Sequence, residues 1–189
     1  TPLYSSAASD VYKRQFLDRD GVINEDLYDY VTSPKDFKFI KGSLGAIANL
    51  TSAGYEIIVV TNQACIGSGI ATARQIKEVN EFMEKEVVKG GGKIKKIFVC
   101  PHKQNAGCGC RKPEIGLLAQ AEKELQQNLK GIYFIGDKES DVLAALNFGC
   151  TPLLVLTGYG SSAAKNINLK DINIFSNINS PLHFGKYPT

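Results

Sequence analysis

The chain is predicted to fold as one α/β domain of the Rossmann-like kind, with a parallel sheet lying between helices. Three observations carry this. Apolar β-rich runs alternate with helix-period segments, and no repeat or low-complexity linker interrupts the alternation. The 189 residues, 43% hydrophobic and 22% charged, suit a single domain with its own core. Strands alternating with helices of 10–18 residues imply right-handed crossovers, and those give a parallel sheet.

Taken in order, Thr1–Gln15 is small and polar, ends in Lys13-Arg14-Gln15 and shows neither period. It resembles translated adapter sequence and is expected to be a disordered arm or a non-native scar, with the domain proper over residues 16–175. Strands are predicted at Phe16-Leu17, Glu56–Thr61, Lys96–Cys100, Ile132–Gly136 and Leu153–Leu156. Helices are predicted at Ser43–Ala53, Thr72–Lys89, Glu114–Gln127 and Ser140–Phe148. In the second of these Ile76, Val79, Phe82, Met83, Glu86 and Val87 make a mostly apolar stripe, Thr72 and Gln75 form a capping box, and Gly90-Gly91-Gly92 ends the helix. From Tyr159 the chain is rich in Asn and Ser, so Ile172–Phe175 is expected to add an edge strand and residues 176–189 to fray.

Composition excludes some roles. Twenty-two Lys+Arg against 19 Asp+Glu leave a net +3, too mild for a nucleic-acid partner, and the cluster Lys93, Lys95, Lys96 reads as a solvated edge. Apolar runs such as Ile57–Val60 fall far short of the roughly 20 residues a membrane helix needs. No basic-then-apolar leader is visible. A cytoplasmic, soluble monomer acting on a small molecule is the expectation.

Ligands of an open parallel sheet bind beyond the carboxyl ends of its strands. The first predicted strand ends in Asp18-Arg19-Asp20-Gly21 and the second in Thr61-Asn62-Gln63. Arg111-Lys112-Pro113 stands before the third helix, and the fourth strand ends in Gly136-Asp137-Lys138, with Asp141 one turn on. Clustered carboxylates need a hard cation, and all-oxygen ligands suit Mg²⁺. Lysines and a threonine hydroxyl beside that cation suit a phosphoryl group, so phosphoryl transfer is implied. Of two carboxylates spaced as Asp18 and Asp20, one can attack phosphorus while the other protonates the leaving oxygen. A lone D-x-D also occurs in glycosyltransferases and calcium loops; the joint set is what points to phosphorus.

A second metal pattern follows. An odd total of five cysteines and no leader argue against a disulfide framework. Cys100, His102, Cys108 and Cys110 instead form C-x-H-x5-C-x-C, three thiolates and an imidazole that fill a tetrahedral Zn²⁺ shell and leave no open position. Such a zinc is structural, and it would fix the approach of Arg111 and Lys112, with Arg111 free to fork onto a second phosphate. The alternative is four reduced, unliganded side chains. Cys65 and Cys150 read as free thiols, Cys150 in the core. Only 40 residues separate Asp20 from Thr61 and 50 separate Thr61 from Lys112, which leaves no room for a cap domain; the loop Asn24–Pro34 is the candidate cover.

Asp18-x-Asp20-Gly21, Thr61-Asn62, Lys112 and Gly136-Asp137-x-x-x-Asp141 together resemble the four motifs of the haloacid dehalogenase superfamily phosphatases, from Phe16 to about Gly158. The resemblance implies that Asp18 is the nucleophile forming an aspartyl-phosphate and Asp20 the general acid, then base. It implies that Thr61 and Lys112 bind the transferring phosphoryl group. Mg²⁺ would sit on Asp18, Asp137 and the main-chain carbonyl of Asp20, with Asp141 either a further ligand or a carboxylate holding Lys138. Asp20-Gly21-Val22-Ile23-Asn24, Tyr30-Val31, Ser33-Pro34, Gly136-Asp137-Lys138 and Val155-Leu156-Thr157-Gly158 are similar to the D-glycero-D-manno-heptose 1,7-bisphosphate 7-phosphatases. The histidinol-phosphate phosphatases are the second related group. The heptose resemblance implies removal of the 7-phosphate on the way to nucleotide-activated heptose for surface polysaccharide, with Asp26, Tyr30, Asn62, Gln63, Arg111 and Lys138 touching substrate. Where those enzymes read Ser-Gly-Ile-Ala-Arg-Gly, this chain has Ala64-Cys65-Ile66-Gly67-Ser68-Gly69, so a hydroxyl and an arginine are gone while the backbone amides remain. A reading in a different class, a zinc-stabilised binding protein without catalysis, gives no reason to keep both Asp18 and Asp20.

Overall fold

The computed structural model describes residues 13–166 and 172–180. Six strands form one parallel sheet: β1 (Arg14–Leu17), β2 (Glu56–Asn62), β3 (Ile94–Cys100), β4 (Tyr133–Gly136), β5 (Thr151–Val155) and β6 (Asn173–Phe175), in spatial order β3-β2-β1-β4-β5-β6. Successive residues of a strand point to opposite faces, and two cores result. Leu17, Ile57, Val59 and Ile135 meet α1 (Ser43–Ser52) and α3 (Ala73–Lys89) on one face. On the other, Phe16, Ile58, Val60 and Phe134 meet α4 (Gly116–Leu125) and α5 (Glu139–Phe148). The near-continuous Val/Ile run of β2 is what a strand buried on both faces requires. At the start of α3, the Thr72 hydroxyl accepts the Gln75 N–H and the Gln75 side chain accepts the Thr72 N–H, the reciprocal cap expected from sequence.

Two short helices were not foreseen, α2 (Ala64–Gly67) straight after β2 and α6 (Gly160–Asn166) after β5. Both are too short to show a period, and each is held by contacts remote in sequence: Gly67 N–H donates to the Pro101 carbonyl at 2.7 Å, and Ala163 packs against Val142 and Leu154. Between Asp20 and α1 there is only a loop with a 3-10 turn at Pro34–Asp36, so no cap domain intervenes. Among the described residues no helix is long and apolar enough to cross a membrane.

Both ends of the sheet correct the sequence reading. β1 begins at Arg14, so the last two residues assigned to an arm lie inside the sheet, where pairing to β2 and β4 imposes an extended chain whatever the side chain prefers. Gln15 is fully buried there, between Ile57 and Tyr133, and its amide has no hydrogen-bond partner among the described residues. A buried polar group left unpaired costs about 1–3 kcal/mol. Gln15→Ile is therefore expected to raise the melting temperature by roughly 2–12 °C; an unchanged or lower midpoint in thermal denaturation counts against that assignment. Of the segment expected to fray, Ser176–Ser180 folds into a turn that buries Ile178 in the α1/α3-side core, while residues 181–189 lie outside the described residues, as do 1–12. A single apolar residue in an Asn/Ser-rich stretch gives no period from which to read this.

Candidate active site

Leaving β1, the chain turns to β2 on one side, and β4 returns on the other, so the carboxyl ends of β1 and β4 open a crevice at the switch in strand order. Asp18 is the residue after β1 and Asp137 the residue after β4; both are buried. Carboxylate oxygens of Asp18, Asp137 and Asp141 all lie within 4.8 Å of one another. The Lys112 ammonium enters this cluster 3% exposed, forms ion pairs with Asp18 Oδ1 (2.9 Å) and Asp141 Oδ1 (2.7 Å), and donates a hydrogen bond to the Val60 carbonyl (2.7 Å). Burial alone would strip its proton, but Asp141 and Asp18 hold it charged and above its usual value. Asn62 places it by clamping the Lys112 main chain, donating to its carbonyl and accepting its N–H, both at 3.1 Å.

Asp137 is the member with spare capacity. Its Oδ2 accepts the Tyr159 N–H at 2.8 Å, while Oδ1 is buried with no hydrogen-bond partner among the described residues. Gly21 (φ +85°) and Gly158 (φ +55°) crowd this carboxylate: a Cβ on either would stand 2.1 and 2.2 Å from Oδ2. Burial pushes Asp137 up to about 8; Lys138 opposes the shift, and Asp141 and Asp18 add to it. Asp18 is likewise pushed up to about 6 by burial, against the pull of Lys112. A divalent cation is the partner that would relieve both groups at once. Asp141 is already engaged on both oxygens, by Lys112 and by the Lys138 N–H at 3.0 Å.

Asp20 faces differently. Its carboxylate is turned out of the three-aspartate cluster and held by Arg19, by Asn24 Nδ2 (2.9 Å) and by Gln63 Nε2 (2.7 Å). Only its main chain is left for the metal role expected of it. Burial would raise this carboxyl, but the Arg19 charge and the hydrogen bonds from Asn24, Arg19 and Gln63 keep it below its ordinary value. Gln63 also donates to Thr61 Oγ1 at 2.9 Å. It is 1% exposed and lies behind Asp20 and Thr61, not on the cleft wall, so the direct substrate contact expected of it is not what this geometry offers. With its neighbours Asp20 and Thr61 facing the cleft, its amide is used up inside.

The cleft over these groups holds about 900 Å³ and is walled by Asp18, Asp20, Thr61, Asn62, Lys112 and Asp141 at its floor. Asp26, Tyr30, Arg111 and Lys138 stand around the rim. Lys138 Nζ pairs with Asp26 at 2.9 Å and lies 4.8 Å from the Tyr159 ring centre, so two expected substrate contacts are joined to each other. Tyr28, expected in the covering loop Asn24–Pro34, meets Tyr159 edge-on at 5.0 Å across the rim; sequence reasoning missed Tyr159, whose only signal was an aromatic residue in a loop after a strand-end motif.

Beside the cleft, Cys100 at the end of β3 meets His102, Cys108 and Cys110. The separations are 3.6 Å (Cys100 Sγ to His102 Nδ1), 3.8 Å (to Cys108 Sγ), 3.3 Å (to Cys110 Sγ) and 3.2 Å (His102 Nδ1 to Cys110 Sγ). A tetrahedron with Zn–S near 2.3 Å and Zn–N near 2.0 Å has edges of about 3.8 and 3.5 Å, so the four donors fit a zinc ion. Burial, with the two neighbouring thiols, pushes Cys110 up to about 12, and a metal is what would let such a crowded set ionise. Arg111, next in sequence, has its guanidinium 3.5 Å from the His102 carbonyl and faces the cleft.

Carboxylates at a sheet's switch point, with a buried lysine and a threonine hydroxyl over them, define a phosphomonoester hydrolase of the haloacid dehalogenase kind. The HAD-hydrolase-like family model matches residues 109–178. A D-glycero-beta-D-manno-heptose-1,7-bisphosphate 7-phosphatase of Pseudomonas putida is 39% identical over 148 residues, covering 78% of this chain and 85% of the relative. The enzyme of that name from Bordetella bronchiseptica is 38% identical over 144 residues, 76% of this chain and 80% of its own. Among solved structures, a D,D-heptose 1,7-bisphosphate phosphatase from B. bronchiseptica, complexed with magnesium and phosphate, superposes with a TM-score of 0.85 at 33% identity, covering 89% of this chain and 94% of that one. The chain belongs to the D-glycero-beta-D-manno-heptose-1,7-bisphosphate 7-phosphatase family, within the haloacid dehalogenase superfamily.

Proposed function

We propose that this chain hydrolyses the 7-phosphate of D-glycero-D-manno-heptose 1,7-bisphosphate through an aspartyl-phosphate on Asp18. The carrying observation is the Asp18 carboxylate fixed at the end of β1 by a buried, charged Lys112, beside the unpartnered Oδ1 of Asp137. Asp18 attacks phosphorus as the bond to the leaving sugar oxygen breaks; Asp20, ionised in the free protein, takes up the proton of the bound phosphate monoanion and passes it to that oxygen. Water then attacks the aspartyl-phosphate, Asp20 takes back a proton, and phosphate leaves with Asp18 restored. Thr61 and Lys112 hold the phosphoryl oxygens; Asp26, Tyr30, Asn62, Arg111 and Lys138 address the sugar and its second phosphate. Asp18, Asp137 and the main-chain carbonyl of Asp20 would hold Mg²⁺, which offsets phosphoryl charge when bound. The enzyme so described is cytoplasmic and monomeric, and serves nucleotide-activated heptose synthesis. The test is phosphate release with Mg²⁺ from both anomers of the heptose bisphosphate, histidinol phosphate and fructose 1,6-bisphosphate. The β anomer is expected to lead, as in the relatives' names; preference for histidinol phosphate would keep the mechanism and overturn the substrate.

Metal and proton compete at this site. Asp18 and Asp137 bind protons more tightly in the fold than the ordinary 3.8, so in the metal-free protein their stabilising protonation is complete below about pH 3.8 and is lost as pH rises through about 6 and about 8. Asp18 and Asp137 would give up those protons on holding Mg²⁺. Its affinity by calorimetry is expected to rise roughly tenfold or more from pH 6 to pH 8, with proton release; a pH-independent affinity contradicts this.

Zinc on Cys100, His102, Cys108 and Cys110 is proposed as structural. Cys108→Ser is expected to lose the metal, to lower the melting temperature, and to cut kcat/KM by roughly 10- to 100-fold. Lys112 keeps its Asn62 clamp and its ion pairs, whereas Arg111 follows the loop, so the loss should fall more on KM than on kcat. Normal melting and activity in a zinc-free sample would remove the assignment.

A further inference from the structure

Arg19 is completely withdrawn from solvent and is the largest such side chain among the described residues. It lies between the two aspartates at the head of the site, yet points away from the cleft. Nε and Nη2 grip the Asp20 carboxylate, at 3.2 Å and 3.0 Å to Oδ1 and 3.0 Å to Oδ2, while Nη1 donates to Asn80 Oδ1 on α3 at 2.9 Å. Asn80 is 7% exposed and sits on the face of α3 that carries Ile76 and Met83 into the cores, where an apolar residue would pack better.

We infer that Arg19 and Asn80 form a two-residue brace whose task is to aim the Asp20 carboxyl at the leaving oxygen. The inference rests on the reading of Asp20 as general acid. A carboxylate at the end of a two-bond side chain can rotate about both bonds. Here a planar fork meets both of its oxygens and fixes the plane of the group. Asn24 and Gln63 hold it from two further sides, and Gln63 ties it to Thr61. The fork itself would swing without Asn80, which anchors it to a helix that packs into the sheet and does not touch the cleft. Arg19 and Asn80 are thus positioning residues acting through Asp20.

General-acid help matters in proportion to how poor the leaving group is, which separates aim from mere stability. A sugar alkoxide cannot depart without a proton; p-nitrophenolate can. The ratio kcat/KM covers the reaction up to departure of the alcohol and omits the hydrolysis of aspartyl-phosphate, in which Asp20 acts again. With heptose bisphosphate and p-nitrophenyl phosphate as the two substrates, Asp20→Asn is expected to lose roughly 100-fold or more in kcat/KM on the sugar phosphate and under tenfold on the aryl phosphate. Arg19→Lys keeps the charge but not the fork, and Asn80→Ala keeps the fork but not its anchor. Each is expected to show the same split, about 10- to 100-fold against less than threefold. Equal losses on both substrates in these variants, beside a split in Asp20→Asn, overturn the brace and leave the general acid standing. No split in Asp20→Asn overturns the general-acid reading, and the brace with it. Should Arg19→Lys fail to fold, Asn80→Ala and the milder Asn80→Ser carry the same comparison.

Discussion

Asp18→Asn is expected to abolish phosphate release, by roughly 10⁴-fold or more, and to leave the fold in place. The amide is isosteric, and the main-chain bond from Asp18 N–H to the Ile135 carbonyl at 2.9 Å does not involve the side chain. The change removes one of the carboxylates that burial pushes upward, so the melting temperature should move by only a few degrees. What disappears is the oxygen that bonds to phosphorus. Acid-quenched wild-type protein should carry phosphate on the peptide containing Asp18, and the variant should carry none. Turnover at a tenth of the wild-type rate, or label on the variant, sinks the nucleophile assignment.

Lys112→Met is expected to harm stability as well as rate. Its ammonium stands between Asp18 and Asp141 and also satisfies the Val60 carbonyl. A methionine fills the space but leaves two buried carboxylates facing each other, and breaking a buried pair in this way costs about 3–5 kcal/mol. The melting temperature should fall by roughly 6–20 °C. Protonation relieves the orphaned carboxylates, so the deficit should shrink as pH falls and widen as it rises, and saturating Mg²⁺ should recover part of it. Melting curves at pH 5.5, 7 and 8.5 test this; a deficit that ignores pH would mean that the lysine matters by packing alone. Activity should drop roughly 100-fold or more, because the cation that meets the phosphoryl oxygens is gone.

Much of this site was legible because its residues sit where strands end. Asp18, Thr61 and Asp137 each close or follow an apolar run, and a parallel sheet brings such positions to one crevice. The Cys100, His102, Cys108 and Cys110 cluster, which could hold a metal, was legible from spacing alone, since a short loop with four soft ligands has few other uses. What could not be read was support from a distance. Nothing in the spacing around Arg19 points to a partner, and only the packing of α3 onto the sheet shows that Asn80 lies 61 residues away to receive it. A trace was present: Asn80 interrupts the stripe of Ile76, Met83 and Val87 at a position where the helix should be apolar. Gln63, expected to touch substrate only because of the family resemblance, has its amide engaged by Asp20 and Thr61, a tie that no local pattern announces. At Gln15 the sheet overrode local preference entirely, and no pattern in Lys13-Arg14-Gln15 announces a strand.

One side of the sheet ends on β3, seven residues long, with no further strand beside it among the described residues. An outermost strand offers its free backbone groups to any passing chain, which is how native sheets seed aggregates. Lys95 and Lys96 stand exposed on this strand, held upright by Glu56 at 2.7 Å and by Glu124. A second backbone could join only by stripping water from those ammonium groups. The other border, β6, is three residues long and offers little to copy. The basic cluster read from sequence as a solvated edge thus has a second use: charge on an outermost strand is one of the ways native sheets blunt pairing between copies.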